Sequence, residues 1–127
     1  MEKPNEKVEI KTPPKLFNET QAVINSISEM IDGDFISYWI SVNSSIVRDD
    51  VIAFYEILKN NRKKDKLYLF IKSSGGSGEA SLRIVNLLRK YYKEIVAFIP
   101  LDCASAATML ALGADSIKMG PLAYLTA

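Results

Sequence analysis

Two hydrophobic periods take turns along this chain, and together they predict its elements. Leu67–Ile71 (LYLFI) and Ile95–Ile99 (IVAFI) are short unbroken apolar runs, the pattern of strands covered on both faces of a parallel sheet. Pro100 stops the second run. Phe35–Asn43 alternates instead, with Ile36, Tyr38, Ile40 and Val42 on one side, as a half-buried strand does. Asp115–Gly120 (DSIKMG) reads as a last short strand. Between these runs the period lengthens to that of a helix. Asn18 and Gln21 have capping-box spacing, Val23, Ile27, Met30 and Ile31 then share one face, and Gly33 ends the segment. Asp49 and Asp50 favour a second helix start, with Val51, Phe54, Tyr55 and Leu58 as its buried face. A third helix runs from about Glu79, presenting Ala80, Ile84, Leu87, Leu88 and Tyr91. Ala104–Leu112 (ASAATMLAL) is small and apolar all round, which predicts a buried helix capped by Gly113.

The order is helix then strand, four times over. Such alternation argues for an α/β fold around a mostly parallel sheet with right-handed crossovers. Function in such sheets gathers beyond the carboxyl ends of the strands. With 127 residues, one core is enough to account for the chain. Residues 1–17, charged and carrying Pro4, Pro13 and Pro14, read as a flexible lead-in. Residues 18–127 read as the domain, with 18–33 a peripheral helix that packs on the domain or on a copy of it. Neither a secretory signal nor an apolar run of membrane-spanning length occurs, so a cytoplasmic protein is expected.

Composition then narrows the chemistry. Sixteen basic and fifteen acidic residues leave a formal charge of +1, too little to steer nucleic acid. The basic stretch Lys59–Lys66 has no interleaved aromatic residue and reads as a solvated helix end and turn. There is no histidine, and Cys103 is the one cysteine. A Ser-His-Asp triad, a Cys-His pair and a histidine or thiolate metal site are therefore excluded within one chain. Acid–base chemistry is left to Lys, Asp, Glu, Tyr, a terminus or a partner chain. A single cysteine also fits a reducing compartment.

Two loops at adjacent strand ends carry unusual residues. The first, Ser73–Gly78 (SSGGSG), has adjacent glycines that permit positive φ and leave N–H groups unshielded. It could be a tight turn, an anion site or an oxyanion hole. Gly78 is followed by Glu79, so a Walker A loop fails. A dinucleotide fingerprint has two of its three glycines, Gly76 and Gly78, with Asp102 as a conceivable ribose acid. The second loop is Asp102–Ala106. Ser105 opens the small-residue helix, where a helix cap and a nucleophile compete as readings. Cys103 follows Asp102, whose charge disfavours a thiolate, so it reads as a small buried residue.

Taken together, the strand–SSGG–helix unit and the later ASAATMLALGADSIKMGPL resemble the ClpP/crotonase superfamily over about residues 35–127. Within it the chain most resembles the serine dehydrogenase proteinase and signal peptide peptidase A group. The resemblance implies a ClpP/crotonase-like fold, incomplete at its C-terminus, and a serine peptidase-like hydrolase acting on a peptide or protein. It implies Ser105 as nucleophile and the backbone N–H groups of Gly76 and Ala106 as oxyanion donors, with Gly75 supporting the turn. It implies no cofactor, no metal, and a homo-oligomer without a membrane span.

The chain departs from that pattern in three places. Ser74 stands where the Clp subunit has proline, and Ala107 where many relatives have glycine. The family's base, a lysine or a histidine, lies well downstream of the nucleophile, whereas this sequence ends at Ala127. Lys72 and Lys118 are the nearest lysines, and both read as solvated, not as bases. The general base is thus expected from a missing region or from a neighbouring subunit. Two other functions share the fold: a non-catalytic scaffold or binding protein, and an acyl-CoA enzyme of the crotonase branch.

Overall fold

A computed structural model describes residues 17–127, so the expected lead-in lies outside the described residues but for its last position. The elements are α1 (Phe17–Met30), β1 (Asp34–Trp39), α2 (Arg48–Asn61), β2 (Lys66–Lys72), α3 (Gly78–Tyr91), β3 (Glu94–Ile99), β4 (Asp102–Ala104), α4 (Ala106–Leu112), β5 (Ser116–Met119) and β6 (Tyr124–Thr126). Strands β1-β2-β3-β5 form one sheet in that order, every pair parallel. This is the α/β architecture that the alternating periods predict. Strands β4 and β6 pair in parallel as a small second sheet. Neither was expected: each is three residues long, too short to show a period.

One face of the main sheet carries the core. Ile36 and Tyr38 of β1, Leu67, Leu69 and Ile71 of β2, and Ile95, Ala97 and Ile99 of β3 are all buried there. Helix α2 adds Val51, Phe54 and Leu58, α3 adds Ala80, Ile84 and Leu88, and α4 adds Ala107, Leu110 and Ala111 to the same cluster. The Tyr38 and Phe54 rings meet edge-on at 5.0 Å. The Tyr38 hydroxyl donates to Asp50 at 2.6 Å, and Asp50 also accepts the Val47 N–H at 3.1 Å, which fixes the start of α2. The opposite face is aromatic, with Trp39 stacked on Phe70 at 5.9 Å and Tyr68 beside Phe98. Helix α1 crosses part of it and buries no residue fully.

Four local expectations need correction. The inward side of α1 is Ile24, Ile27 and Ser28, continued by Ile31 just past its end, while Val23 and Met30 are exposed. Ile27 and Ile31 reach the hollow lined by Phe35, Tyr68, Phe70 and Phe98, and the helix is turned to serve that contact. Strand β1 ends at Trp39, and Val42 lies 82% exposed in the following loop. The last contact of that ladder is Ile40 N–H to the Lys72 carbonyl at 2.8 Å. Tyr55 is exposed at the outer side of α2. Helix α4 is not buried all round, since Met109 and Leu112 are exposed. No helix among the described residues is long and apolar enough to cross a membrane.

One side chain ties α3, β3 and the start of β5. Asp115 accepts from both terminal nitrogens of Arg89 at 2.8 and 3.0 Å and from the Ile95 N–H at 2.7 Å. Its own N–H donates to the Ile95 carbonyl at 2.8 Å. The Arg89 hydrogen bonds, then the Ile95 N–H, hold the Asp115 carboxyl below its ordinary range. A depressed carboxyl contributes stability above its unfolded value and loses it as pH falls through its folded value. We therefore expect Asp115→Ala to lower stability at pH 7 by about 1–3 kcal/mol, since a buried N–H loses a charged acceptor. Denaturant titrations should show the gap between parent and variant shrinking below about pH 4, the unfolded carboxyl value.

Candidate active site

The two loops singled out by sequence are brought together by one crossing. Beyond β2, Ser73 forms an isolated parallel bridge with Cys103 of β4. The Ser73 N–H donates to the Asp102 carbonyl and the Ala104 N–H donates to the Ser73 carbonyl, both at 3.1 Å. Ser73 is fully buried, and its Oγ accepts the Gly75 N–H at 3.0 Å. The chain then turns through Gly75 at φ 120° and Gly76 at φ 145°. A second isolated bridge pairs Gly76 with Ile46, through Ile46 N–H to Gly75 O and Ser77 N–H to Ile46 O, each 2.9 Å. The Ser77 hydroxyl caps α3 by accepting the Ala80 N–H at 3.1 Å.

Both glycines are required by close approach as well as by φ. A side chain at Gly76 would start 2.4 Å from the Ile46 nitrogen. One at Gly75 would start 2.8 Å from Ser105 Cβ and 3.2 Å from Ser105 Oγ. The glycine turn therefore rests directly against Ser105.

Ser105 itself has an unusual backbone. It is the one described non-glycine residue with positive φ, at φ 55° and ψ −126°. Such a conformation stores about 1–3 kcal/mol and persists only where its surroundings hold it. Here the Ser105 N–H donates to Thr126 O at 3.1 Å, and its carbonyl accepts the Thr108 N–H at 2.9 Å. The Thr108 hydroxyl also donates to Thr126 O. Ser105 occupies the residue before α4, yet its hydroxyl makes no capping hydrogen bond. The helix-cap reading of its side chain is thus not realised. The residue is exposed, in an open depression that it shares with Gly76, Ala106, Met109 and Leu112. Among the described residues, neither the Gly76 N–H nor the Ala106 N–H donates a hydrogen bond to the protein.

The remaining candidates stand apart from this depression. Cys103 is fully buried, and burial, followed by the Asp102 charge, pushes its thiol up to about 11. It is an inert thiol at neutral pH, as its neighbours in sequence suggest. Lys118 lies over the Phe98 ring at 5.8 Å, on the aromatic side of the sheet. Lys72 is on that side too, but it is only 8% exposed, contrary to the solvated lysine expected. The Asp102 carboxylate, the conceivable ribose acid of the dinucleotide reading, lies 3.9 Å from the Lys72 ammonium. No group of three His, Cys, Asp or Glu residues among the described residues could hold a metal. Sequence reasoning overlooked Ser73 and Ile46 as the residues that lock the glycine turn; isolated bridges leave no periodic signal.

Against this geometry, a family model described as Clp protease matches residues 18–122. No curated protein and no solved structure matches the chain.

The Gly76 geometry generates a direct test. Gly76→Ala must find room between the Ile46 backbone atoms at positive φ, and the expected loss is more than about 2 kcal/mol or failure to fold. Gly78→Ala, whose added carbon meets only the Met109 sulfur at 3.7 Å, should stay close to the parent in thermal melts.

Proposed function

The chain belongs to the Clp protease family, a family of serine peptidase-like hydrolases, and we propose that Ser105 is its nucleophile. The observation that carries this is the backbone of Ser105: a serine in a strained left-handed conformation, exposed, with its hydroxyl spent on no structural hydrogen bond. Strain of this kind gathers at functional sites, where the surroundings over-determine it. The free N–H groups of Gly76 and Ala106 on either side of the depression support an oxyanion hole, with Gly75 holding the turn against Ser105.

In the proposed reaction Ser105 Oγ bonds to the carbonyl carbon of a peptide and gives its proton to a base. The carbonyl π electrons move to the oxygen, and the Gly76 and Ala106 N–H groups receive that charge. Collapse of the intermediate breaks the C–N bond, and the leaving amine takes the proton. Water then hydrolyses the acyl-enzyme by the same steps in reverse order of partners. The chemistry calls on no metal and no organic cofactor. A buried single thiol fits work in the reducing cytoplasm. The Ala-Ala-Thr run after Ser105, with Ala107 fully buried, supports placement in the serine dehydrogenase proteinase and signal peptide peptidase A group.

The base is the missing component. The sequence has no histidine, and neither Lys72 nor Lys118 lines the depression around Ser105. We propose that the base is supplied from outside this sequence, across a contact between copies in a homo-oligomer or by residues beyond it. Strands β1 and β5 leave the two edges of the main sheet unpaired among the described residues, which suits association. The lack of histidine also favours one alternative, a non-catalytic binding protein of the same fold.

A fluorophosphonate probe separates the two. On the enzymatic reading the parent is labelled, Ser105→Ala is not, and the rate constant for labelling rises with protein concentration until the oligomer is saturated. A parent that stays unlabelled across the concentration range in which light scattering shows assembly would overturn a base supplied between copies, and would leave the base to residues beyond this sequence or the chain to the binding class. Labelling that survives Ser105→Ala would remove Ser105 as nucleophile.

A further inference from the structure

We propose that Lys72 is a positioning residue: its ammonium clamps the end of β1 to the start of β4 and so holds the two loops around Ser105 in register. The inference rests on the proposed reading of Ser105 only for its consequence in reactivity, not for the clamp itself.

Lys72 is the one charged side chain buried among the described residues. A buried charge is unfavourable unless it is paired and hydrogen-bonded. The ammonium donates to the Ile40 carbonyl at 3.3 Å, lies 3.9 Å from Asp102 Oδ1, and sits over the Trp39 ring at 5.7 Å. The main chain at the same place holds the same two partners. The Lys72 carbonyl accepts the Ile40 N–H at 2.8 Å, and the next N–H, that of Ser73, donates to the Asp102 carbonyl at 3.1 Å. Backbone and side chain thus fasten Ile40 and Asp102 twice, across the end of β2.

The chemistry explains why a lysine stands here. An apolar side chain would fill the space beside Trp39 and would avoid desolvating a charge, so it would serve stability as well or better. It could not link a carbonyl on one side of β2 to a carboxylate on the other. What the ammonium adds is registry, and the registry it adds is that of the Ser73–Cys103 crossing. The crossing, in turn, sets where Gly75 meets Ser105. Lys72 is not a candidate base, since its side chain lies on the Trp39 side of the sheet while α4 packs on the other.

Hydrogen exchange on the full chain reads the clamp directly. Lys72→Met should keep a melting temperature equal to or above the parent's. The Ser73 and Ala104 amides, which form the crossing, should exchange about tenfold faster or more, while the Leu69 amide within β2 stays as protected as before. Lys72→Arg, which keeps the charge and the donors, should restore most of the protection. Where Lys72→Met fails to fold, Asp102→Asn carries the same test, because it keeps the carbonyl of the crossing and removes the ion pair. Crossing amides that exchange at the parental rate in these variants, or that change only in step with Leu69, would overturn the clamp. The fluorophosphonate rate at Ser105 is then compared between parent and Lys72→Met. A parent without labelling defeats the reading of Ser105 alone, and the clamp stands or falls on exchange.

Discussion

The structure around Ser105 depends on a single residue, Ser73, where β2 runs past the main sheet and meets β4. Its N–H, carbonyl and hydroxyl are all engaged: with Asp102, with Ala104 and with the Gly75 N–H. Full burial makes each of these bonds expensive to leave unmade, at about 1–3 kcal/mol for an unsatisfied group. Three consequences follow from that one position. The strand end is tied to the second loop, the glycine turn starts at a set angle, and Cys103 is closed off from solvent. A serine suits the site because the turn needs a short side chain that accepts one hydrogen bond within two residues of itself.

Downstream, the constraint is converted into backbone geometry. Gly75 and Gly76 adopt positive φ and approach other segments of the chain too closely for any side chain. Gly76 is held by Ile46 from one side, while Gly75 presses on Ser105 from the other. Ser105 is further pinned by Thr126 through its N–H and by Thr108 through its carbonyl. The strain at Ser105 is therefore shared among four segments of the chain. No single one of them lies near it in sequence except α4. That distribution is what lets a serine with a weak intrinsic preference for this region stay there.

Much of the fold was legible in the sequence, and the reasons are specific. Leu67–Ile71 and Ile95–Ile99 are apolar runs because both faces of these strands are covered, by helices on one side and by aromatic neighbours on the other. Helix α3 declared itself through Ala80, Ile84 and Leu88, all buried as expected. Strands β4 and β6 were invisible, since three residues show no period and their pairing is set from outside. The inward face of α1 was misjudged because Val23 and Met30 fit a helical period almost as well as Ile24 and Ile27 do. Lys72 was misread for a deeper reason. Burial of a lysine is decided by partners from β1 and β4, and sequence adjacency reveals neither. At the site, the residue types at Gly75, Gly76 and Ser105 were legible, but the left-handed backbone of Ser105 was not, because serine seldom adopts it.

The proposed site divides the catalytic work unevenly. Each oxyanion donor is worth about 10²–10³ in rate where it has been removed from an enzyme. A general base typically contributes about 10²–10⁴. A chain that supplies both donors and the nucleophile therefore carries the larger part of the stabilisation, and it carries it in rigid backbone. The base is the part that can be added from elsewhere, since a proton acceptor needs only to reach the hydroxyl within hydrogen-bond distance. An exposed Ser105 in an open depression leaves room for that approach. If the base arrives across a contact between copies, assembly becomes the switch for reactivity, because a serine hydroxyl without a base is a weak nucleophile. The isolated chain would then hold a formed oxyanion hole and an idle serine.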